Sequence, residues 1–246
     1  MTTRTIEITT ADGVAEAHVS RPVATAGPGE QPPGIILYMD AFGLRPALDG
    51  MAERLAGMGY VVLVPDLLYR FAPYGPYDAR TAFETNRDQI IGMIKGTTSA
   101  MTARDTEFFL EALGQEGARG PFGTVGYCLG GGRAIMAAAA FPDRVAAAAS
   151  FHGGNLAGDA EDSPHRAAGS IRARVYVGSA EKDRSFPPEQ SAKLAQALRE
   201  AGVDHTIENY VGTEHGWTVP DHGVFNKAGA ERHWKRLETF FGETLR

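Results

Sequence analysis

Short apolar segments that alternate with helical patterns constrain the fold of this chain more than any other feature. Ile35–Met39 and Tyr60–Val64 are continuous apolar runs of the length expected for strands buried on both faces. Between them, Leu48–Met58 places its apolar residues at the spacing of one helix face. Because strands that alternate with helices form parallel sheets covered on both sides, we expect an α/β fold with a mostly parallel, doubly wound sheet.

The same alternation continues to the end of the chain. It predicts further strands at Phe122–Gly126, Val145–Phe151, Ala173–Val177 and His205–Tyr210. It predicts further helices at Ser99–Leu113, with Ser99 as the N-cap, and at Leu129–Ala140, Pro188–Ala201 and Asn226–Phe241. Gly202 stands where a glycine is expected to end the third of these helices.

Two segments depart from the pattern of buried strands. Thr3–Thr9 and Val14–Arg21 alternate apolar and polar residues around Asp12-Gly13, which predicts an antiparallel hairpin with one face in water. Residues 66–98 instead place several aromatic residues among proline and glycine without a regular period. We therefore expect a single domain over residues 1–246 with an irregular insertion at about 66–98.

Composition and charge exclude several classes of protein. The chain of 246 residues has 24 basic and 30 acidic residues, and this acidic balance argues against binding to nucleic acid. One cysteine excludes an internal disulfide and a multi-cysteine metal site. The first residues are polar, and the longest apolar runs are far shorter than the ~20 residues of a membrane span. We therefore expect a cytoplasmic protein that has no membrane partner.

The segment that most clearly carries chemistry joins a predicted strand to a predicted helix. Gly126-Tyr127-Cys128-Leu129-Gly130 has the G-x-S-x-G spacing of a nucleophile elbow, with cysteine as the nucleophile. Such a turn strains the backbone of the nucleophile, and side chains at the flanking positions would collide. The helix N-terminus beside the sulfur favours a thiolate. Free cysteine is also a common buried apolar residue, so the motif alone leaves a structural role for Cys128 open.

A cysteine nucleophile needs a base, which is usually a histidine. His215 follows the strand His205–Tyr210, at the sheet edge where open α/β sheets place their ligand sites. His152 follows the strand Val145–Phe151 in the same way and is the alternative base. We favour His215 because glycines lie close to it on both sides and allow close approach.

An acid is also needed to orient the imidazole of the base. Asp183 follows the strand Ala173–Val177, and Glu181 is the alternative acid two residues earlier. The chain order Cys128, Asp183, His215 is the order of nucleophile, acid and base in α/β-hydrolases. All three residues are predicted at strand ends, which favours a hydrolase fold.

The residues around these positions resemble the dienelactone hydrolase family, whose members are α/β-hydrolases with a Cys-His-Asp triad. The resemblance covers nearly the whole chain. Its motifs are Gly126–Gly132, the loop that contains Asp183, Glu214–Gly216, Tyr38–Gly43 and Pro65–Pro73. The resemblance implies hydrolysis of a lactone or small ester, with a small molecule as the partner and with no metal or other cofactor.

The resemblance also implies a role for each residue that matches a family motif. Cys128 would be the nucleophile, His215 the base and Asp183 the orienting acid. The backbone N–H groups of Ala41 and Leu129 would form the oxyanion hole.

Further residues would contact the thiol or the substrate. In the best-known members, a glutamate after the third strand contacts the resting thiol, and this chain has the shorter Asp40 there. Arg70 resembles a family arginine that binds the carboxylate of dienelactone, whereas the position of a second such arginine holds Val219. Phe42 and Trp217 would add apolar surface to the pocket.

Two other hypotheses remain compatible with the elbow. Glutamine amidotransferases also carry Gly-x-Cys-Leu-Gly at an elbow, but they place a His-x-Glu pair near the C-terminus, whereas here Glu214 precedes His215. Alternatively, the chain is a non-catalytic, ligand-binding relative in which Cys128 acts as a redox sensor.

Overall fold

The predicted alternation of strands and helices is present in the computed structural model, which describes residues 3–23 and 31–246. Its strands are β1 (Arg4–Thr10), β2 (Gly13–Ser20), β3 (Pro33–Tyr38), β4 (Val61–Pro65), β5 (Arg119–Tyr127), β6 (Val145–Phe151), β7 (Arg174–Lys182) and β8 (His205–Glu214). Its α-helices are α1 (Pro46–Gly57), α2 (Ala82–Thr85), α3 (Arg87–Gly96), α4 (Ser99–Gln115), α5 (Leu129–Ala140), α6 (Pro188–Glu200) and α7 (Lys227–Leu245). Two 3₁₀ helices cover Tyr69–Phe71 and Pro164–Ser170.

These strands form one sheet in the order β1-β2-β4-β3-β5-β6-β7-β8. The β1–β2 hairpin is antiparallel, β2 also pairs antiparallel with β4, and the other neighbouring pairs are parallel. Every residue of β3 and β4 is buried, as their continuous apolar runs predict. The predicted sheet and its N-terminal hairpin are therefore confirmed. None of the helices in the described ranges is long and apolar enough to cross a bilayer.

The insertion at residues 66–98 contains more helix than the sequence predicts. Both α2 and α3 lie in it, and α3 packs Ile90 and Met93 into the core. Its helical period is hidden in the sequence because the preceding stretch of proline, glycine and tyrosine has no period. The predicted N-cap of α4 is also wrong by one residue, since Thr98 Oγ1 accepts the N–H of Met101 and Ser99 is the first helical residue.

The carboxyl ends of the central strands bring the predicted site residues to one edge of the sheet. Strands β7 and β8 are longer than predicted, and they end at Lys182 and Glu214, which are paired with each other. Asp183 and His215 are therefore the first residues after two neighbouring strands. Because the strands are parallel, both side chains emerge at the same edge as the end of β5.

Close backbone contacts at the start of α5 hold this helix against the sheet. A Cβ atom on Gly126 would lie 1.9 Å from the carbonyl oxygen of Gly130. A Cβ atom on Gly130 would lie 2.2 Å from the carbonyl oxygen of Tyr38, at the end of β3. No side chain fits at either position, so the glycines of the elbow are required by contact with neighbouring backbone.

We therefore expect Gly126→Ala to destabilise the fold by more than about 3 kcal/mol, because the new methyl group can only be accommodated by moving α5 away from β5. Gly114→Ala is the matched control, since Gly114 lies in α4 and a Cβ atom there meets nothing within 4 Å. It should be neutral or slightly stabilising. Urea unfolding of both variants measures the difference, and equal stabilities would contradict the assignment of the elbow.

Candidate active site

Cys128 lies between β5 and α5 in a backbone conformation that L-residues rarely adopt. Its φ and ψ angles are 54° and −114°, and it occupies the N-cap position of α5. The N–H of Cys128 is held by the carbonyl oxygen of Phe151, at 3.2 Å, and by Nδ1 of His152, at 3.1 Å. This is the strained strand-to-helix turn of a nucleophile elbow, and it presents the sulfur to a cavity at the carboxyl edge of the sheet.

Asp183 and His215 are paired as the sequence analysis predicts. Nδ1 of His215 lies 2.8 Å from Oδ2 of Asp183, whose side chain is almost completely buried. The backbone N–H and the hydroxyl of Ser185 donate to the other carboxylate oxygen, at 2.9 Å and 2.6 Å. The alternative acid, Glu181, instead accepts the backbone N–H of Gly212. Asp183 is thus the acid that orients His215.

The pKa of His215 depends on its neighbours Cys128 and Asp183. Burial lowers the pKa of His215, but the negative sulfur of Cys128 and the carboxylate of Asp183 outweigh burial and raise it to about 10. Since Nδ1 is bonded to Asp183, Nε2 is the ring nitrogen left for Cys128, which lines the same cavity. The raised value means that protonated His215 stabilises the fold fully below its ordinary value of 6.5 and loses this effect as the pH rises through about 10.

His152, the alternative base, has a different role. Its ring is buried, and burial together with the nearby ring of His215 lowers its pKa well below the ordinary value. Because Nδ1 accepts the N–H of Cys128, the remaining hydrogen is on Nε2, which donates to Oγ1 of Thr218 at 2.7 Å. Both ring nitrogens are occupied, so His152 supports the backbone of the nucleophile. The sequence marks its place at a strand end but contains no signal for this contact.

The two backbone N–H groups expected in an oxyanion hole lie on different elements. Leu129 is the first residue of α5 and lines the cavity, and Ala41 lies in the loop after β3, which the close approach of Gly130 to Tyr38 brings against that helix. Among the described residues, no acceptor takes up the N–H of Ala41 or of Leu129. An oxyanion hole at these two groups stays a prediction.

Asp40 does not contact the thiol in this structure. Its fully buried carboxylate is held by both terminal nitrogens of Arg45 at 2.7 Å, by Nε2 of His222 at 3.0 Å and by the N–H of Phe42 at 3.0 Å. Burial would raise the pKa of Asp40, but His222 and Arg45 outweigh burial and lower it to about 2. Both oxygens of the shorter side chain are therefore engaged by Arg45, Phe42 and His222.

Arg70 does not line the cavity either. Its guanidinium pairs with Asp105 at 2.8 Å and with Asp12 at 2.7 Å, and it lies over the ring of Tyr69. These contacts tie the β1–β2 turn to α4. Two carboxylates that are distant in the sequence therefore already neutralise Arg70, and this arrangement does not favour the predicted role in substrate binding.

The two predicted pocket aromatics lie behind the cavity wall. Phe42 packs against the rings of Phe83 and His222, with centroids 5.3 Å apart in both pairs, and only Phe83 reaches the cavity. Trp217 is fully buried, and its ring lies 5.1 Å from that of His152. Both rings pack behind residues near the cavity and are not part of its lining.

The cavity in front of Cys128 has a volume of about 1240 Å³. Its walls come from the insertion, the start of α5, the loop before the second 3₁₀ helix and the loop of Asp183. Apolar side chains in its lining include Phe83, Ile91 and Ile94, and charged ones include Arg133, Asp162, Lys182 and Arg184. The cavity beside Cys128 and His215 therefore offers both apolar surface and charged groups.

The turn at Cys128 and the Asp-His pair lie on a mostly parallel sheet. One family matches most of this chain. A model of the dienelactone hydrolase family matches residues 21–245. The chain belongs to the dienelactone hydrolase family. A carboxymethylenebutenolidase from Rhodococcus opacus is 28% identical over 217 residues, which cover 86% of this chain and 81% of the relative. A carboxymethylenebutenolidase homolog from mouse is 27% identical over 204 residues, 82% of this chain and 75% of the relative.

Solved structures show the fold. A dienelactone hydrolase-like promiscuous phosphotriesterase from metagenomic libraries superposes with a TM-score of 0.81 at 24% identity, over 100% of this chain and 99% of that one. A dienelactone hydrolase from Anabaena variabilis gives a TM-score of 0.69 at 16% identity, over 100% and 99% of the two chains. The predicted α/β-hydrolase fold is therefore confirmed.

The anchoring of Asp40 predicts a large effect on stability. Asp40→Asn should destabilise the protein by about 3 kcal/mol, because it leaves Arg45 buried beside a neutral group. Asp221→Asn, which removes the other and more exposed partner of Arg45, should cost about 1 kcal/mol or less. Urea unfolding near neutral pH measures both losses. Equal losses of stability in the two variants would contradict this prediction. So would a slower reaction of Cys128 with a thiol reagent in Asp40→Asn without any loss of stability, a result that would support a contact between Asp40 and the thiol.

Proposed function

We propose that the protein is a hydrolase of a lactone or small ester that uses Cys128 as its nucleophile and proceeds through a thioester. The observation that carries the proposal is the position of His215, which is bonded to the carboxylate of Asp183 and lines the same cavity as Cys128. The family's name, and the names of the relatives from Rhodococcus opacus and mouse, support a lactone as the substrate.

In the first half of the reaction, the thiolate of Cys128 attacks the carbonyl carbon of the bound ester. The carbonyl oxygen becomes negative and is stabilised by the N–H groups of Ala41 and Leu129. As the tetrahedral intermediate collapses, the C–O bond of the ester breaks and protonated His215 donates its proton to the leaving oxygen. In a lactone the alcohol so formed stays attached to the acyl chain, which is now bound to Cys128 as a thioester.

In the second half, His215 is neutral and accepts a proton from a water molecule, which attacks the thioester carbonyl. The same N–H groups stabilise the second oxyanion, and its collapse breaks the C–S bond. The carboxylic acid product is released, the thiolate is restored and His215 again carries its proton. Asp183 keeps the Nδ1–H tautomer throughout and stabilises the imidazolium without being protonated itself.

Activation of the thiol does not require Asp40 in this scheme. The carboxylate of Asp40 is already paired with Arg45 and His222. We propose instead that the imidazole of His215, which lines the same cavity and is oriented by Asp183, accepts the proton of the thiol. This distinguishes the chain from the scheme that the family resemblance implies, in which an acid after the third strand helps to deprotonate the thiol.

The proposal predicts that Cys128→Ala lowers kcat/KM for p-nitrophenyl acetate and for dihydrocoumarin by at least about 10³-fold, because the nucleophile is removed. Asp183→Asn should lose on the order of 10²-fold or more, since the orientation of His215 is lost. Glu181→Gln is the matched control in the same loop, because it can still accept the N–H of Gly212, and it should stay within about twofold. Unchanged turnover in Cys128→Ala would leave the binding or redox-sensing alternative.

The proposed proton transfer from Cys128 to His215 can be observed directly, because the chain contains a single cysteine. The ultraviolet absorbance of a thiolate should appear at a lower pH in the wild-type protein than in His215→Gln, and it should be absent in Cys128→Ser. In His215→Gln it should appear only at alkaline pH, because the positive charge that stabilises the thiolate is gone. Identical pH profiles in the wild type and His215→Gln would contradict the pairing of His215 with Cys128.

A further inference from the structure

Arg133 lies on the face of α5 that borders the cavity. Leu129, Gly132 and Arg133 stand at positions i, i+3 and i+4 of the helix, so they share one side of it, and all three line the cavity. Arg133 is five residues beyond Cys128, which corresponds to about 7.5 Å along the helix axis. Side chains on a helix lean towards its N-terminus, so the guanidinium leans towards the nucleophile's end of the helix.

This arginine is buried without a carboxylate partner. Arg133 has 9% of its surface exposed, its two terminal nitrogens donate to Oγ of Ser99 and to the carbonyl oxygen of Thr97, and its Nε has no partner. Both acceptors are neutral. No carboxylate of the described residues lies within ion-pair distance of Arg133, and the nearby Asp162 instead accepts the N–H of Ser99. Burial lowers the pKa of Arg133 to about 10, a value that still leaves it charged near neutral pH.

Two other largely buried arginines do have carboxylate partners. Arg45 pairs with Asp40 at 2.7 Å, and Arg70 pairs with Asp105 at 2.8 Å. A buried charge without a counter-ion is unfavourable, and such a group at the wall of a cavity is expected to receive its counter-ion from a ligand. A guanidinium carries five N–H donors, and only two of those of Arg133 are used within the protein.

We propose that Arg133 binds a carboxylate on the substrate, so that the cavity accepts esters or lactones whose acyl part ends in an anionic group. The assignment rests on the proposed function of Cys128. Neutral substrates leave the guanidinium without a counter-ion, whereas a carboxylate supplies one and fixes the distance between the anion and the reacting carbonyl. The cation that selects the substrate therefore comes from α5, in place of the neutralised Arg70.

The remaining charged side chains of the cavity fit this arrangement. Asp183 is paired with His215, and Glu214 and Asp162 are exposed. Lys182 and Arg184 are exposed in the loop of Asp183, and neither forms an ion pair within the described residues. An anion at Arg133 would therefore meet no buried carboxylate other than one already neutralised.

A matched pair of esters tests the proposal. Mono-p-nitrophenyl adipate carries a carboxylate four methylene groups from its reacting carbonyl, and its methyl ester is the neutral partner. The wild-type protein should prefer the acid over its methyl ester in kcat/KM, and Arg133→Met should reduce this ratio by about 10- to 100-fold, the range of a hydrogen bond to a charged group. A merely structural role of Arg133 would lower both rates together and leave the ratio unchanged.

Two further variants keep the test sharp. Arg133→Lys keeps the charge and should retain part of the preference, whereas Arg184→Met removes an exposed cavity cation and should change the ratio by less than about threefold. A shift of the ratio in Arg184→Met but not in Arg133→Met would overturn the assignment. So would a wild-type protein with no preference, an outcome that does not depend on the folding of any variant.

Binding without turnover separates this proposal from the proposed function. In the Cys128→Ala background, calorimetry should detect monomethyl adipate, and adding Arg133→Met should weaken that binding by at least about tenfold. The two experiments can give different answers. If Cys128→Ala retains turnover but binding still depends on Arg133, the thioester mechanism is contradicted and the anion site is supported. Equal binding with and without Arg133 would overturn the anion site, whatever the role of Cys128.

Discussion

The close packing of backbone at the start of α5 is the constraint on which the site depends. Cβ atoms on Gly126, Gly130 and Gly131 would approach the neighbouring groups to 1.9, 2.2 and 2.6 Å, so this corner excludes side chains. Through these contacts the start of α5 packs closely against β3, β5 and β6. The strained backbone of Cys128, the loop of Ala41 and the ring of His152 are therefore brought together by one steric requirement.

This requirement is local in the sequence, which is why the turn that holds Cys128 and the strand ends around it could be predicted. A glycine pattern between an apolar strand and a helix identifies Cys128, and parallel strands that end at one edge place Asp183 and His215 beside it. The pairing observed between Asp183 and His215 follows from those strand ends alone. The fold class and the hairpin are equally accessible, since each depends on periods and on connections between neighbouring elements.

The partners of the other charged residues could not be predicted, because they are chosen by tertiary contacts. Asp40 stands where the family has a thiol-contacting glutamate, yet Arg45 and His222 bind it, and the latter is 182 residues away. Arg70 likewise meets Asp12 and Asp105 through the packing of the hairpin on α4. Ion pairing between distant segments leaves no period in a sequence, so a match to a motif identified these positions without identifying their roles.

The distribution of charge in the cavity would orient a substrate that carries a carboxylate. The carboxylates of Asp40 and Asp183 are each paired with a cation, and neither is free to repel a substrate. The sulfur of Cys128, at the N-cap of α5, and the guanidinium of Arg133, five residues further along the chain, both line the cavity. An acyl chain with an anionic end would be repelled by the thiolate and attracted by Arg133, so it enters with its carbonyl, and not its carboxylate, at the sulfur. The orientation that chemistry requires would thus be selected by two side chains of one helix.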